Sequence, residues 1–433
     1  VKKTPTPFFK TAPTTRATQN IYKADPLARL DKVIPPGSPG DTFVKYDYLN
    51  DAALGQRVVK ITDEEGKVTQ SFYDKFGNLV KAIDPAGYTA TYEYDTIGRL
   101  TKVTNPEGRI TTNKYDSLGR LLQTDSPDFG TITYTYDLNG NKLTKTQNAK
   151  TINYAYDKLN RLTEITYPAP ESDSVTYQYD SAPSAPCPSR TTYPKGKLSK
   201  ITDRSGTTCI YYDQKGQLDY KAQIIDLKTY SFDFDYDLAG NLIQVNDPVG
   251  VITSYTYNSL NQLESLTSKG KTINYNYNPT GSIDKITFPN LVSTTYSYNP
   301  REWVTNIQTS GLKDQSGLPL VFSDIVDYDR VGNVITRTDN IGTSVFSYDN
   351  LYRLTGVAPP LGQQSTGVYD IFSYSYDKIG NRLSESNNIY SYTPSTNRLS
   401  GVSNSPYNTI STSFTYDSNG NINTQTKRDQ ATF

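Results

Sequence analysis

Histidine and methionine are absent from these 433 residues, cysteine occurs twice and tryptophan once. Without His the chain lacks the usual general base near neutral pH and the commonest protein metal ligand. A Ser-His-Asp or Cys-His nucleophile cannot be assembled, and zinc sites that need imidazole are excluded. Long apolar runs are missing too. No window approaches the ~18 consecutive apolar residues of a membrane helix, so no membrane span is expected. Nor is there an excess of one charge: Lys plus Arg and Asp plus Glu both number 44. With no basic stripe, nucleic acid is not an expected partner. The opening "VKKTPTPFFK" has neither an initiator Met nor a signal-peptide apolar core, as expected of a processed chain or a piece of a longer one.

What is present is tyrosine, 37 residues of it, in a chain only 35% hydrophobic. Tyr covers apolar area while offering a hydroxyl, which suits a broad sheet with a wet face. The tyrosines are periodic. Tyr-Asp, two variable residues, Gly, a polar residue and Leu recur at Tyr73, Tyr94 and Tyr115, and with Lys142 before the Leu at Tyr136, a spacing of 21. Related units start at Tyr156, Tyr179, Tyr212, Tyr236, Tyr257, Tyr277, Tyr298, Tyr328, Tyr348, Tyr376 and Tyr416, with degenerate ones at Tyr46 and Tyr392. The last unit stops at Thr432-Phe433, near where the next Tyr-Asp would fall, so the array is expected to continue.

Each unit reads as a β-hairpin. "LTKVT" and "RITTNKY" carry strand-forming residues, and Asn105-Pro106-Glu107-Gly108 separates them. The second turn is the motif itself: Tyr ends a strand, Asp binds its own backbone two residues on, and Gly accepts a positive φ. On this template the repeat-defining residues are Tyr73, Asp74, Gly77; Tyr94, Asp95, Gly98; Tyr115, Asp116, Gly119; Tyr136, Asp137, Gly140; Tyr236, Asp237, Gly240; and Tyr376, Asp377, Gly380. A second aromatic two residues earlier, as in Tyr134/Tyr136 and Phe234/Tyr236, lies on the same strand face. Rings of successive units are expected to stack into ladders worth ~0.5–1.5 kcal/mol per pair. The Leu-x-x-Ile pattern of "LTEIT" does not alternate and calls for a bulge or a strong twist. Residues 1–40 lack the motif and read as a Pro/Thr-rich linker or plug, leaving 41–433 as the array. Stretches 181–196, 309–320 and 358–368 enlarge single units and are expected to be surface loops.

The block "YDTIGRLTKVTNPEGRITTNKYDSLGRL" resembles the YD repeat of the Rhs, wall-associated-protein and teneurin families, also found in the C component of Tc toxins. The resemblance implies an all-β fold in which tandem hairpins form a spiralling β-sheet shell, tube or barrel. It also implies secretion or cell-surface display and a non-enzymatic structural scaffold with no cofactor. The alternatives it carries are a shell around a toxin cargo, and an adhesin or carbohydrate-binding surface protein. The implied partners are further copies of the chain, an enclosed polypeptide cargo, or surface glycans. Asp84-Pro85-Ala86-Gly87 and Asp247-Pro248-Val249-Gly250 carry the letters of the family's terminal autoprotease but sit at the ordinary turn phase, so they read as turns. The absence of an Asn-x-Ser/Thr sequon favours a bacterial source.

Four further features invite chemistry. In an exported array, Cys187 and Cys209 can pair and pin the Pro-rich insertion; two separate thiols are the alternative. Asp233, Asp235 and Asp237 share a strand face, but parallel side chains without an EF-hand frame make solvated carboxylates the better reading than a Ca²⁺ site. A glycosidase needs only two carboxylates, yet no single non-repeating acidic constellation stands out, so no enzyme is expected. Trp303, in "YNPREWV", breaks the pattern as a packing plug or a contact point.

Overall fold

The computed structural model describes residues 18–427, apart from 26, 38–41, 52–54, 170–172, 314–318, 361–371, 405–408 and 418–419. These residues form 36 strands of a single sheet, without a helix. Strands pair antiparallel with their chain neighbours, as Lys142–Gln147 does with Lys150–Tyr156 and that strand with Leu162–Thr166. The segment expected as a linker contributes two of the strands. Gln19–Tyr22 pairs with Leu30–Ile34, which pairs in turn with Val44–Asp51, because "IYK" and "LDKVI" carry the β-branched and aromatic residues a pleat accepts. Residues 1–17, and parts of the insertions at 309–320 and 358–368, lie outside the described residues.

The chain divides into two compact units. The first holds Val1–Gly98, Thr104–Gly108 and Thr294–Ile389; the second holds Arg99–Val103, Arg109–Ser293 and Tyr390–Phe433. In both, each hairpin alternates two turns. Tyr-Asp turns line one rim of the sheet, and the intervening turns, such as 63–66 and 126–129, line the opposite rim.

A bulge recurs at the end of the Tyr strand and accounts for Leu-x-x-Ile. Tyr156 pairs with Leu162, then Ala155 skips Thr163 to pair with Glu164, and Tyr154 meets Ile165. Residues three apart on one strand thereby face residues two apart on the other. The same shift occurs at Tyr136, Tyr236, Tyr257 and Tyr348. On the face away from the tyrosines, hydroxyl pairs cross the strands: Thr135 with Thr144 at 2.6 Å, Thr256 with Ser265 at 2.8 Å, and Ser375 with Ser384 at 2.6 Å.

Most side chains are half-buried, as expected of a sheet one layer thick. Five buried residues cluster in the second unit: Cys209, Tyr211, Tyr220, Ala222 and Ile224. The insertion at 181–196 covers them, with Cys187 packed on the cluster and disulfide-bonded to Cys209. The Tyr211 hydroxyl donates to the Pro188 carbonyl, and Arg190 lies 4.0 Å from the Tyr220 ring centroid and 3.0 Å from Asp233. The insertion is therefore a fastened plate that supplies a second layer where the sheet lacks one.

Candidate functional site: the repeat turn and the seams

The Tyr-Asp turn satisfies its own backbone. In the second unit the Gly140 N–H donates to the Asp137 carbonyl at 3.2 Å, and the Asp137 N–H to the Asn141 carbonyl at 2.9 Å. One Asp137 carboxylate oxygen accepts the N–H groups of Asn139 and Asn141 at 2.9 and 2.8 Å, and the other accepts the Asn141 amide at 2.8 Å. Asp74, Asp95, Asp116, Asp237 and Asp377 also accept an N–H at the main-chain carbonyl, from Gly77, Gly98, Gly119, Gly240 and Gly380. These glycines, with Gly140, all have φ between +85° and +97°, a region that costs other residues about 1–2 kcal/mol. The side-chain amides of Asn78, Asn141 and Asn241 hold Asp74, Asp137 and Asp237 below their ordinary pKa, helped by the backbone donors.

The key tyrosine does more than end a strand. Its hydroxyl donates to the main-chain carbonyl of the Leu that opens the preceding strand: Tyr94 to Leu79 at 2.9 Å, Tyr115 to Leu100 at 2.9 Å, Tyr136 to Leu121 at 2.8 Å and Tyr376 to Leu354 at 2.9 Å. Burial raises the pKa of Tyr94, Tyr136 and Tyr236, which keeps the hydroxyl a donor. Tyr73 instead lies under the Arg57 guanidinium, 5.0 Å from its ring centroid.

The residue after the turn Gly carries a signal that the sequence reading passed over as merely polar. Arg120 binds its own Asp116 at 2.6 Å, donates to the Asp137 carbonyl of the next repeat at 2.7 Å, and lies 5.2 Å from the Tyr136 centroid. Arg353 repeats this with Asp349 at 2.6 Å, the Asp377 carbonyl at 2.7 Å and Tyr376 at 4.9 Å. Where Arg or Lys holds this place, neighbouring repeats are thus stapled by a cation over the key tyrosine, as at Tyr115, Tyr136, Tyr179, Tyr212 and Tyr376, where ring-on-ring ladders were expected. Trp303 occupies the same turn position as these arginines. Its ring packs on Tyr328 of the next repeat at 5.4 Å, with the Arg301 guanidinium over it at 5.0 Å.

Each unit also joins repeats far apart in the chain. In the first unit Arg301 forks onto Glu64, with N–O distances of 2.6 and 2.7 Å, and donates to the Pro36 carbonyl at 3.0 Å. The Glu64 side chain is 3% exposed. Tyr352 donates to Asp63 at 2.5 Å, and Lys67 donates to the Asp349 carbonyl at 2.9 Å while covering the Tyr352 ring. Burial, then the Asp63 hydrogen bond, pushes Tyr352 well above its ordinary pKa. Tyr352 and Glu302 stand where the motif has Gly, with φ of +61° and +62°. In the second unit Asp128 accepts both the backbone and the amide of Asn397, at 2.6 and 2.9 Å, and its carbonyl accepts Arg398 at 2.7 Å. The sequence reading missed these seams.

The three strand aspartates take separate partners. Asp233 pairs with Arg190 at 3.0 Å, Asp235 accepts Gln244 at 3.2 Å, and Asp237 caps its turn. Among the described residues no group of three metal-ligating side chains converges.

Turn, bulge, staple and seam together define a hairpin-repeat wall. Residues 53–89, 73–110, 236–273 and 328–364 match the RHS repeat family model, and residues 109–208 match the teneurin YD-shell model. The repeat is therefore the YD, or RHS, repeat, and the chain is a YD-repeat protein. Its fold is that of solved Tc toxin chains. The Tc holotoxin pore of Photorhabdus luminescens matches with a TM-score of 0.73 at 19% identity, over 97% of this chain. TcdB2-TccC3 without its hypervariable C-terminal region gives 0.73 at 18% over 97%, and TcdB2-TccC3-Cdc42 gives 0.72 at 19% over 96%. This chain spans 25% of each of those chains. A comparison with curated proteins finds no match.

Proposed function

We propose that this chain is a structural wall of an exported, non-enzymatic YD-repeat protein, acting outside the cell or at its surface. The observation that carries the reading is the division of labour among its charged residues. Asp137, Arg120, Arg353 and Arg301 are all engaged in turns, staples or seams. A hairpin alone is marginal, so stability comes from stacking each repeat on its neighbours. A second reading, a wall that encloses a polypeptide cargo, is supported by the likeness to Tc toxin structures.

Electron microscopy of the native particle tests both. A continuous β-wall without enclosed density supports the scaffold. A closed lumen filled by polypeptide selects the container. Globular particles with no extended sheet would overturn the two together.

A further inference from the structure

The insertion at 181–196 leaves one Tyr-Asp turn and returns to it without undoing it. Gly196 donates its N–H to the Asp180 carboxylate at 2.6 Å, and the Asp180 N–H donates to the Lys197 carbonyl at 3.1 Å, as Asp137 does to Asn141. The staple also persists, with Lys197 4.7 Å from the Tyr212 centroid. What the excursion covers departs from the repeat. The residue before the key tyrosine and its cross-strand partner are Thr135 and Thr144, Asp235 and Gln244, or Thr256 and Ser265 in other repeats. Here they are Tyr211 and Tyr220, 0% and 7% exposed, with ring centroids 5.3 Å apart. Two large rings thus stand where those repeats keep polar groups.

Asp233 is the cross-strand partner of Tyr220, and Asp219 precedes Tyr220 in the chain, so two carboxylates edge the rings. Over them runs Pro186–Arg190, "PCPSR". Cys187 packs on the buried cluster, the Pro188 carbonyl accepts the Tyr211 hydroxyl, and the Arg190 guanidinium lies 4.0 Å from the Tyr220 centroid. Arg190 also reaches Asp233 at 3.0 Å and Asp219 at 3.6 Å. Nearer the root the insertion has separate holds: Gln178 donates to the Ala182 carbonyl and Lys200 to the Ala185 carbonyl, both at 2.8 Å. Aromatic rings that seat a proline-rich segment, with carboxylates that take its cation, amount to a mode of peptide recognition. Proline fixes φ in such a segment beforehand, so ordering it costs little.

We propose that Tyr211, Tyr220, Asp219 and Asp233 form a groove for proline-rich, arginine-bearing peptides, which the chain fills with its own Pro186–Arg190 and locks with the Cys187–Cys209 disulfide. The in-chain segment defines the partner's chemistry: a proline whose carbonyl takes the Tyr211 hydroxyl, and a guanidinium two residues on. A dithiol opens the lock. Its thiolate attacks the half-buried Cys187 sulfur, and the fully buried Cys209 leaves as a thiolate and takes a proton from water. The second thiol then displaces Cys187 as a thiol and closes the reductant's own disulfide, so two electrons pass to the protein. The turn bonds at Asp180 remain, and the segment stays tethered as a competitor at an effective concentration of about a millimolar. The inference goes beyond the scaffold reading, which stands or falls separately.

Fluorescence anisotropy tests the groove on the full chain, with a labelled peptide of residues 182–193 carrying Cys187→Ser. Titration over roughly 1–1,000 μM brackets a micromolar site. The oxidised wild type should not bind. The unlocked variant Cys187→Ser with Arg190→Ala should bind at least about tenfold tighter than the reduced wild type, whose intact segment competes. Adding Asp233→Asn to that variant, or Arg190→Ala to the peptide, should weaken binding at least about tenfold. Asp233→Asn should leave melting unchanged, since the side chain is 41% exposed. Hydrogen exchange on the wild type needs no variant. Reduction should speed exchange at 187–191 at least about tenfold and leave the paired strand Gly206–Tyr212 as it was. Binding by the oxidised wild type, no binding by an unlocked variant that melts cooperatively, binding indifferent to both Asp233 and the peptide's arginine, or exchange at 187–191 unmoved by reduction would each overturn the proposal.

Discussion

Replacing Tyr136 by Phe removes one hydroxyl and leaves the ring in place under Arg120. The loss therefore isolates the 2.8 Å bond to the Leu121 carbonyl from the cation over the ring. A net hydrogen bond contributes about 1 kcal/mol, and stranding a buried acceptor costs about 1–3 kcal/mol. Tyr136 is half-buried, so water recovers part of that penalty and about 1–1.5 kcal/mol is expected. Tyr115 and Tyr257 make the same bond to Leu100 and Leu242, both at 2.9 Å. Successive repeats lie about 10 Å apart, far enough for the effects to add. The triple Phe variant should lose about 3–4 kcal/mol, read as a lower urea midpoint at unchanged slope. Tyr167→Phe, on a more exposed ring, is the control and should stay within about 0.5 kcal/mol. A triple variant that loses less than about 1 kcal/mol would refute the claim that the hydroxyl is why the repeat uses Tyr.

Gly140→Ala should cost about 1–2 kcal/mol through φ alone, because nothing lies within 4 Å of the added Cβ. Gly140→Asn should cost less, since Asn160 and Asn261 hold the equivalent place at φ +61° and +59°; urea midpoints compare the two. The turn carboxylates of Asp74, Asp137 and Asp237 have depressed pKa values in the folded state. Their stabilisation is complete above the ordinary value of 3.8 and is lost as pH falls through the folded values below it, so a midpoint titration should decline there and Asp137→Asn should flatten the decline. Arg301→Met takes both guanidinium donors from a carboxylate that is 3% exposed, and should cost about 3 kcal/mol with faster hydrogen exchange at 63–67. Cys187→Ser opens a loop closed over a separation of 22 residues, with an expected loss of about 3 kcal/mol in the urea midpoint.

What was legible in the sequence was local. Strands, turns and phase could be read because each repeat writes its own punctuation: Asp for the Asx hydrogen bonds, Gly for φ, Tyr-x-Tyr for one face. The bulge was half-legible, since Leu162 and Ile165 break strict alternation without saying how. The Arg staple was written in the repeated "GRL", but a cation that serves its own turn and the next repeat looks like any polar residue within a single window. The seams were illegible by spacing, because nothing in a 21-residue period couples Glu64 to Arg301. They nevertheless left a mark. Glu302 and Tyr352 occupy a left-handed position that the repeat reserves for Gly or Asn, and strain tolerated against the motif's own rule marks a place where another contact offsets it. For Tyr352 the offset is visible: the hydroxyl reaches Asp63 and the ring lies under Lys67. Residues that obey the repeat therefore build the hairpin and its joint to the next one, whereas the turns at Glu302 and Tyr352 reach beyond the neighbouring repeat. In a protein of this kind, the turns that lack their glycine are the first places to look for a joint.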